Sequence, residues 1–355
     1  LSPALPPMAG LDIGRSEVRI VELSGNRAHT AQLECCAREA LPDGAISDEG
    51  IGNLRQVMEA VSRLWEKSGS QARHVAIAIP STSAMTHILS VPLGSSQAQR
   101  ALLAGRHAES LLPYPTAQAL LDFRIIGPTR NAPGRLDMLI AAARRDDVED
   151  RIAVAESLGL QAVVADIDSH AAMTALTRMQ SMSQASSSFA LANLETHGAL
   201  LSLFCDGHIA GEQQLAIGYR QLQRDMQHDS RHDSRHDSRH DARHDARHDV
   251  QQYDADHSDV LATYLAHAAA HIARAVQTLR QQTSHMPAHI VLAGPGAGIP
   301  GMVEAVRKHT TIPIAVAAPF DGMALAPAID AAQLTADNPA SYVTACGLAL
   351  RRFDR

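Results

Sequence analysis

The sequence predicts an α/β protein of two lobes, each a mixed sheet with helical cover. Three observations predict it. Two glycine-rich turns stand far apart in the 355 residues, Gly10-Leu-Asp-Ile-Gly14 and Leu292-Ala-Gly-Pro-Gly-Ala-Gly-Ile-Pro-Gly-Met302. A strand-turn-strand, helix, strand order follows the first turn. A second set of strands with the same opening layout begins near Phe189. One glycine pattern is weak evidence, but two at the ends of apolar runs point to a nucleotide held between two lobes.

The elements follow in order. Leu11 to Leu23 read as a buried hairpin, with Val18, Ile20 and Leu23 inside and Arg19 and Glu22 facing out. Leu54, Val57, Met58, Val61, Leu64 and Trp65 recur at a helical period. Val75 to Ile79 is a short buried strand ended by Pro80. From Met85 to Ala165 a compact insert is expected. It holds an edge strand at Ile88–Pro92, a helix at Ala98–Leu112 stopped by Pro113 and Pro115, and strands at Ala119–Ile126 and Leu136–Ala143. A helix at Asp146–Leu158 with Gly159 at its end and a strand at Gln161–Ile167 complete it.

Ser181 to Ser188 reads as a polar linker. Strands are expected at Phe189–Leu194, Ala199–Cys205 and His208–Gln214, the last two joined by the turn dipeptide Asp206-Gly207. Val260–Gln281 reads as a long helix, His289–Leu292 as the strand feeding the second glycine turn, and Tyr342–Phe353 as a closing helix. Between His228 and Val250 runs a tandem His-Asp-Ser-Arg and His-Asp-Ala-Arg repeat with no apolar side chain larger than alanine before Val250, expected to be a solvated insertion. The competing reading is metal binding, because His228 and His232 have i,i+4 ligand spacing.

Composition narrows the function. The chain is 45% hydrophobic, enough for a real core, and its net charge of −7 argues against a nucleic-acid binder. Aromatics at 3% leave few stacking platforms. Cys35 and Cys36 are adjacent, Cys205 and Cys346 stand alone, and a reducing cytoplasm fits better than a disulfide framework or zinc site. No apolar run approaches the roughly 20 residues of a membrane span, and Leu1 to Pro7 lack the pattern of a secretion signal.

Asp12 and Gly14 form the first chemical site. A carboxylate beside a turn of small residues can hold a magnesium-bound phosphate while turn N–H groups meet the oxygens. The competing reading is a β-turn with Asp in an Asx role.

The wider spacing carries a resemblance. Asp12-Ile-Gly-Arg-Ser-Glu-Val-Arg-Ile-Val-Glu-Leu23 resembles the phosphate-1 segment of the actin-like ATPase superfamily. Within it, the chain looks like the PilM family of type IV pilus assembly over nearly its whole length. Val75–Ser81 looks like that family's strand into its inserted subdomain. His107-Ala-Glu-Ser-Leu-Leu-Pro-Tyr-Pro115 is similar to its A-E-x-x-x-P-[YF] helix end, and Leu139–Glu149 to the strand-helix junction that follows. Gly159-Leu, Asp166-Ile-Asp168 and Ala171 match the end of that subdomain. Gly294–Gly301 matches the adenosine segment, Ala317-Ala-Pro-Phe320 resembles A-N-P-F, and Gly347-Leu-Ala-Leu-Arg351 the closing helix.

The resemblance implies an actin-like ATPase fold with an inserted FtsA-like subdomain. It divides the chain into a first lobe at 8–84 and 338–355, an insert at 85–165, a second lobe at 166–215 and 286–337, and a further subdomain at 216–285. It implies ATP and Mg as ligands, with Asp12, Gly14, Arg15, Ser16, Asn193, Arg274, Gly294, Gly296 and Ala297 toward the nucleotide and Asp12 toward the metal. It implies a cytoplasmic adaptor at the inner face of the inner membrane, part of the pilus alignment complex, that binds the N-terminal tail of PilN without inserting into the membrane. The tail's groove would involve the 85–165 segment.

Departures weaken the nucleotide part. Where the family's phosphate-2 turn reads Asp-Ile-Gly, this chain has Asn193, Leu194 and Glu195. Where its long helix carries E-I-x-R, this chain has His271-Ile-Ala-Arg274, and Arg15 replaces a small serine. A Glu195 carboxylate near phosphates repels them, so weak binding or hydrolysis is expected. An active kinase or ATPase of the superfamily is the alternative, and Asn193 in place of a catalytic Asp counts against it. A division-type filament protein would end in an amphipathic membrane helix, which Leu350-Arg-Arg-Phe-Asp-Arg355 does not resemble.

Overall fold

The computed structural model describes residues 6–130, 132–183, 188–220, 222 and 246–354. Most of the histidine repeat, with the ligand pair His228 and His232, lies outside the described residues. The chain forms two units, Leu1–Ala172 with Thr344–Arg355, and Met173–Val343.

In the first unit, β1 (Met8–Ile13) and β2 (Glu17–Ser24) form the expected antiparallel hairpin. β3 (Gln32–Ala40) adds antiparallel to β2. β4 (His74–Ile79) runs parallel to β1 on the other side. Helix α1 (Leu54–Ser68) starts where the Asn53 side chain accepts from the Gln56 N–H at 3.2 Å, and it ends at Gly69, whose φ is +66°. Its buried stripe of Val57, Ala60, Val61 and Leu64 packs on Leu11, Val18, Ile20 and Ile77 of the sheet.

The opposite face of this sheet is also covered. Met8, Ala76 and Ala78 meet Ala171 and Leu348 there. Small residues permit the approach. A Cβ on Gly10 would strike the Ala345 carbonyl and the Ala349 nitrogen of the C-terminal helix Val343–Leu350, and one on Gly347 would strike the Ala171 carbonyl. Gly10 is thus a packing residue. Cover on both faces corrects the expectation that Arg19 and Glu22 face out: they are 2% and 8% exposed. Alternation reports a solvent face only where a sheet has one. Both of these groups have partners: Arg19 donates to Asp12 at 3.0 Å, and Glu22 accepts from the Ser70 hydroxyl at 2.5 Å.

Strands β5 (Ala84–Pro92), β6 (Ala119–Pro128) and β7 (Arg135–Arg144) form a separate antiparallel sheet with β7 in the middle. Helix α2 (Gln97–Leu111) opens on a capping box between Ser96 and Gln99, and its Ala104 packs on Val91, Met138 and Ile140. The expected six-element insert splits here. Helix α3 (Arg145–Glu156) sends Val148, Val154 and Ala155 into the core beneath α1, and β8 (Gln161–Ile167) pairs in parallel with β4. Periodicity identified these elements but carries no information about which sheet a strand joins. Helix α4 (Asp168–Ser183) was not expected; its alanines, with buried Ala171, Ala172 and Ala175, give little apolar periodicity, and it takes in the start of the expected linker.

In the second unit, β9 (Ser188–Leu194), β10 (Ala199–Cys205) and β11 (His208–Leu215) form a meander. The β10–β11 turn has φ of 52° at Asp206 and 78° at Gly207, as the Asp-Gly pair predicts. β12 (Ile290–Ala293) and β13 (Ile314–Val316) add in parallel beyond β9. Helix α5 (Ala246–Thr283) buries Ala268, Ile272, Ala275 and Leu279 along one stripe. Among the described residues no helix is long and apolar enough to cross a membrane.

Candidate functional site: two glycine-turn half-sites

Each unit holds one group of the expected site residues. In the first, Asp12 lies near the end of β1 and pairs in register with Arg19 of β2. The Arg19 guanidinium donates to Asp12 Oδ2 at 3.0 Å and approaches Glu17 Oε1 at 2.7 Å. Asp12 is 6% exposed. A second guanidinium belongs to the same field. Arg151 of α3 is 1% exposed and donates to the Asp147 carbonyl at 2.9 Å. Burial pushes its pKa down, while Asp147, Asp12 and Asp168 hold it up.

Gly14 closes the hairpin: its N–H donates to the Glu17 carbonyl at 3.1 Å. A Cβ there would sit 3.0 Å from that oxygen. Arg15 and Ser16 are the two residues of the turn. The Arg15 guanidinium is 2.5 Å from Asp48, and the Ser16 carbonyl accepts from Leu41 at 2.8 Å. Asp12, Gly14, Arg15 and Ser16 therefore stand together at one hairpin end.

Three further residues of this unit, not assigned to the site from the sequence, form side-chain bonds of note. Arg19 is one; its apolar neighbours on β2 gave it the look of an outward strand residue. Ser81, just past β4, donates through its N–H at 3.0 Å and its hydroxyl at 2.5 Å to Asp168 Oδ1, which also accepts from Ser169 N–H at 2.6 Å. Asp168 thus ties the end of β4 to the start of α4. The signal for it was the Asp-Ser pair opening a helix.

In the second unit the glycine turn crosses the end of β9. Gly294 has φ of 79°, and a Cβ there would lie 2.6 Å from the Leu194 carbonyl and 2.7 Å from Asn193 Oδ1. A Cβ on Gly296 would lie 2.7 Å from Leu194 Cβ. Ala297 is buried in the same 3-10 turn, Pro295–Gly298. Asn193, Gly294, Gly296 and Ala297 are thus brought together. Asn338 holds them: its backbone has φ of 54°, and its side-chain amide donates to the carbonyls of Gly294 at 3.3 Å and Pro295 at 3.2 Å. The Asn-Pro pair at 338–339 was the available signal.

Glu195 begins the β9–β10 turn, where its N–H donates to the Gly198 carbonyl at 2.9 Å. That turn is packed from Gly218, Tyr219 and Arg220. Thr196 and Tyr219 hydroxyls are 2.9 Å apart, and Arg220 Nη1 donates to His197 Nε2 at 2.5 Å. A Cβ on Gly218 would collide with Thr196 and His197 backbone, so only glycine passes there. Arg274 lies on α5 one turn past His271, and its carbonyl accepts from the Thr278 hydroxyl at 3.1 Å. Burial first, then His267 and the Arg274 charge, depress the His271 pKa. Among the described residues no group of three or more His, Cys, Asp or Glu is placed to hold a metal ion.

Comparisons with known proteins agree on the family. The model of the family described as type IV pilus assembly protein PilM matches residues 10–353. A solved PilM–PilN type IV pilus biogenesis complex is 20% identical, with a TM-score of 0.78 over 98% of this chain and 99% of that one. The ethanolamine utilization protein EutJ from Carboxydothermus hydrogenoformans is 13% identical, with a TM-score of 0.54 over 99% of this chain and 90% of that one. At these identities the structural likeness speaks to the fold, which is that of the actin-like ATPases. The family match spans nearly every described element, and the chain belongs to the PilM family of type IV pilus assembly proteins.

Proposed function

We propose that the chain is a structural adaptor of type IV pilus assembly, held at the inner face of the inner membrane by binding the N-terminal cytoplasmic tail of PilN. The relative solved as a PilM–PilN complex supports the choice of partner. The observation that carries the docking reading is the separate three-stranded sheet of β5, β7 and β6. It has two edge strands and exposes Ile88 and Leu121, each 38% accessible, with Leu93 at 59% just beyond β5. An extended tail gains backbone pairing at a strand edge and side-chain contacts from such residues.

The nucleotide role is proposed as weak. The resemblance assigns the hairpin at Asp12–Ser16 in the first unit to phosphate and, in the second unit, the Gly294–Ala297 turn with Arg274 and Asn193 to the nucleotide. Two facts count against tight ATP and Mg binding. Asp12, the candidate Mg ligand, is already paired with Arg19 at 3.0 Å. Glu195 adds a carboxylate to the turn where phosphate oxygens would come.

Calorimetric titration with a synthetic PilN tail peptide tests the adaptor reading, and binding weaker than about 1 mM, roughly −4 kcal/mol, overturns it. Parallel assays of ATP turnover with and without peptide separate an adaptor from a kinase or ATPase.

A further inference from the structure

On the stretch of α5 that also carries Arg274, His267 and His271 stand one helical turn apart, with ring centroids 4.3 Å apart and planes inclined at 54°. We propose that this pair binds a divalent transition-metal ion of the zinc, nickel and copper class. Residues at i and i+4 share a helix face, and this spacing lets two imidazoles meet one ion. Imidazole nitrogen suits these ions and is a poor ligand for magnesium or calcium.

The surroundings fit. His267 is exposed and His271 half-buried, so an ion reaches the pair from solvent. The neighbouring stripe of the helix, through Ala268, Ile272 and Ala275, is packed into the core, so the backbone that sets the spacing is anchored. A ligand imidazole must be neutral. Arg274, one turn beyond His271 on the same helix, carries a charge that opposes the cation. Two protein ligands leave coordination positions for water or an anionic ligand.

The test uses the full chain, with zinc chloride as probe and hydrogen exchange read by mass spectrometry. The histidine repeat offers imidazoles of its own, so the readout must be local. Exchange of α5 peptides covering 262–276 should slow about tenfold at a free zinc concentration ten times the dissociation constant. The variants His267→Ala and His271→Ala should each abolish that protection while zinc taken up elsewhere is unchanged. Alanine is the best helix former, so both keep α5, and His267→Gln gives a second check. Protection that survives in either alanine variant overturns the proposal, as does wild-type exchange unaltered by zinc up to millimolar concentration.

Discussion

Arg19 donates to Asp12 across the first hairpin at 3.0 Å, and both side chains are buried. The residue first read as an outward strand position is therefore the counter-ion of the residue first read as a metal ligand. Removing one partner of a buried pair leaves an uncompensated charge. Arg19→Met should lower unfolding free energy by about 3–5 kcal/mol. The double variant with Asp12→Asn should lose less than the sum of the singles. Urea denaturation of the four proteins measures the coupling, and additive losses would show that the pair does not act as a unit.

A second prediction concerns acid. His87 of β5 stacks near His107 of α2, with ring centroids 4.5 Å apart. Burial first, then His107, depress the His87 pKa below 6.5. A depressed pKa means the folded state binds its proton less readily than the unfolded chain. The contribution is fully present above 6.5 and is lost as pH falls through the folded value. The exchange protection of β5 and α2 should fall between pH 7 and 5. His87→Gln should flatten that dependence, and an unchanged slope would refute the assignment.

Burial and the nearby Glu22 and Cys36 push the Cys35 thiol up to about 12. At pH 8 the thiolate is then on the order of 10⁻⁴ of the population. Iodoacetamide should leave Cys35 unmodified in the native protein and modify it in urea, as read by peptide mass spectrometry. Rapid native labelling would contradict the raised thiol pKa.

The second glycine turn predicts a backbone effect. Gly294→Ala forces a side chain into φ of 79° against the Leu194 carbonyl. The loss should be about 1–3 kcal/mol. Asn338→Ala removes two amide bonds to the same turn and should cost about 1 kcal/mol. Thermal unfolding followed by circular dichroism would rank the two.

The order of strands and helices was legible because most elements carry a clean period and a stop signal, such as Asn53 and Gly69 around α1. Sheet membership was not. Gln161–Ile167 reads as a strand from its own residues, yet only the distant β4 decides that it joins the main sheet. The site was half legible for a similar reason. Glycines announce a turn, but whether they serve a ligand or a neighbour depends on what approaches them. Gly10 yields to the C-terminal helix and Gly14 closes a hairpin, while Gly294 and Gly296 make room over β9. Arg19 was invisible as a buried charge because its partner Asp12 lies on another strand, and Arg151, paired with Asp147 one turn away on its own helix, because local sequence does not reveal that this face of α3 is covered.

Glu195 decides how far the weak-nucleotide reading holds. It starts the β9–β10 turn, where its backbone N–H is committed to the Gly198 carbonyl at 2.9 Å. The turn geometry therefore survives a change of side chain, and the variant isolates the charge. If the carboxylate repels phosphate, Glu195→Gln should tighten ATP binding about tenfold, which is roughly 1.4 kcal/mol. Raising salt should narrow the difference, because screening weakens the repulsion in the parent protein. Asn193→Asp serves as the opposing control: it adds a second carboxylate and should weaken ATP binding without magnesium more than with it. Equal affinity for ATP in the parent and Glu195→Gln proteins would remove repulsion as the cause and leave the Asp12–Arg19 pair to account for weak binding.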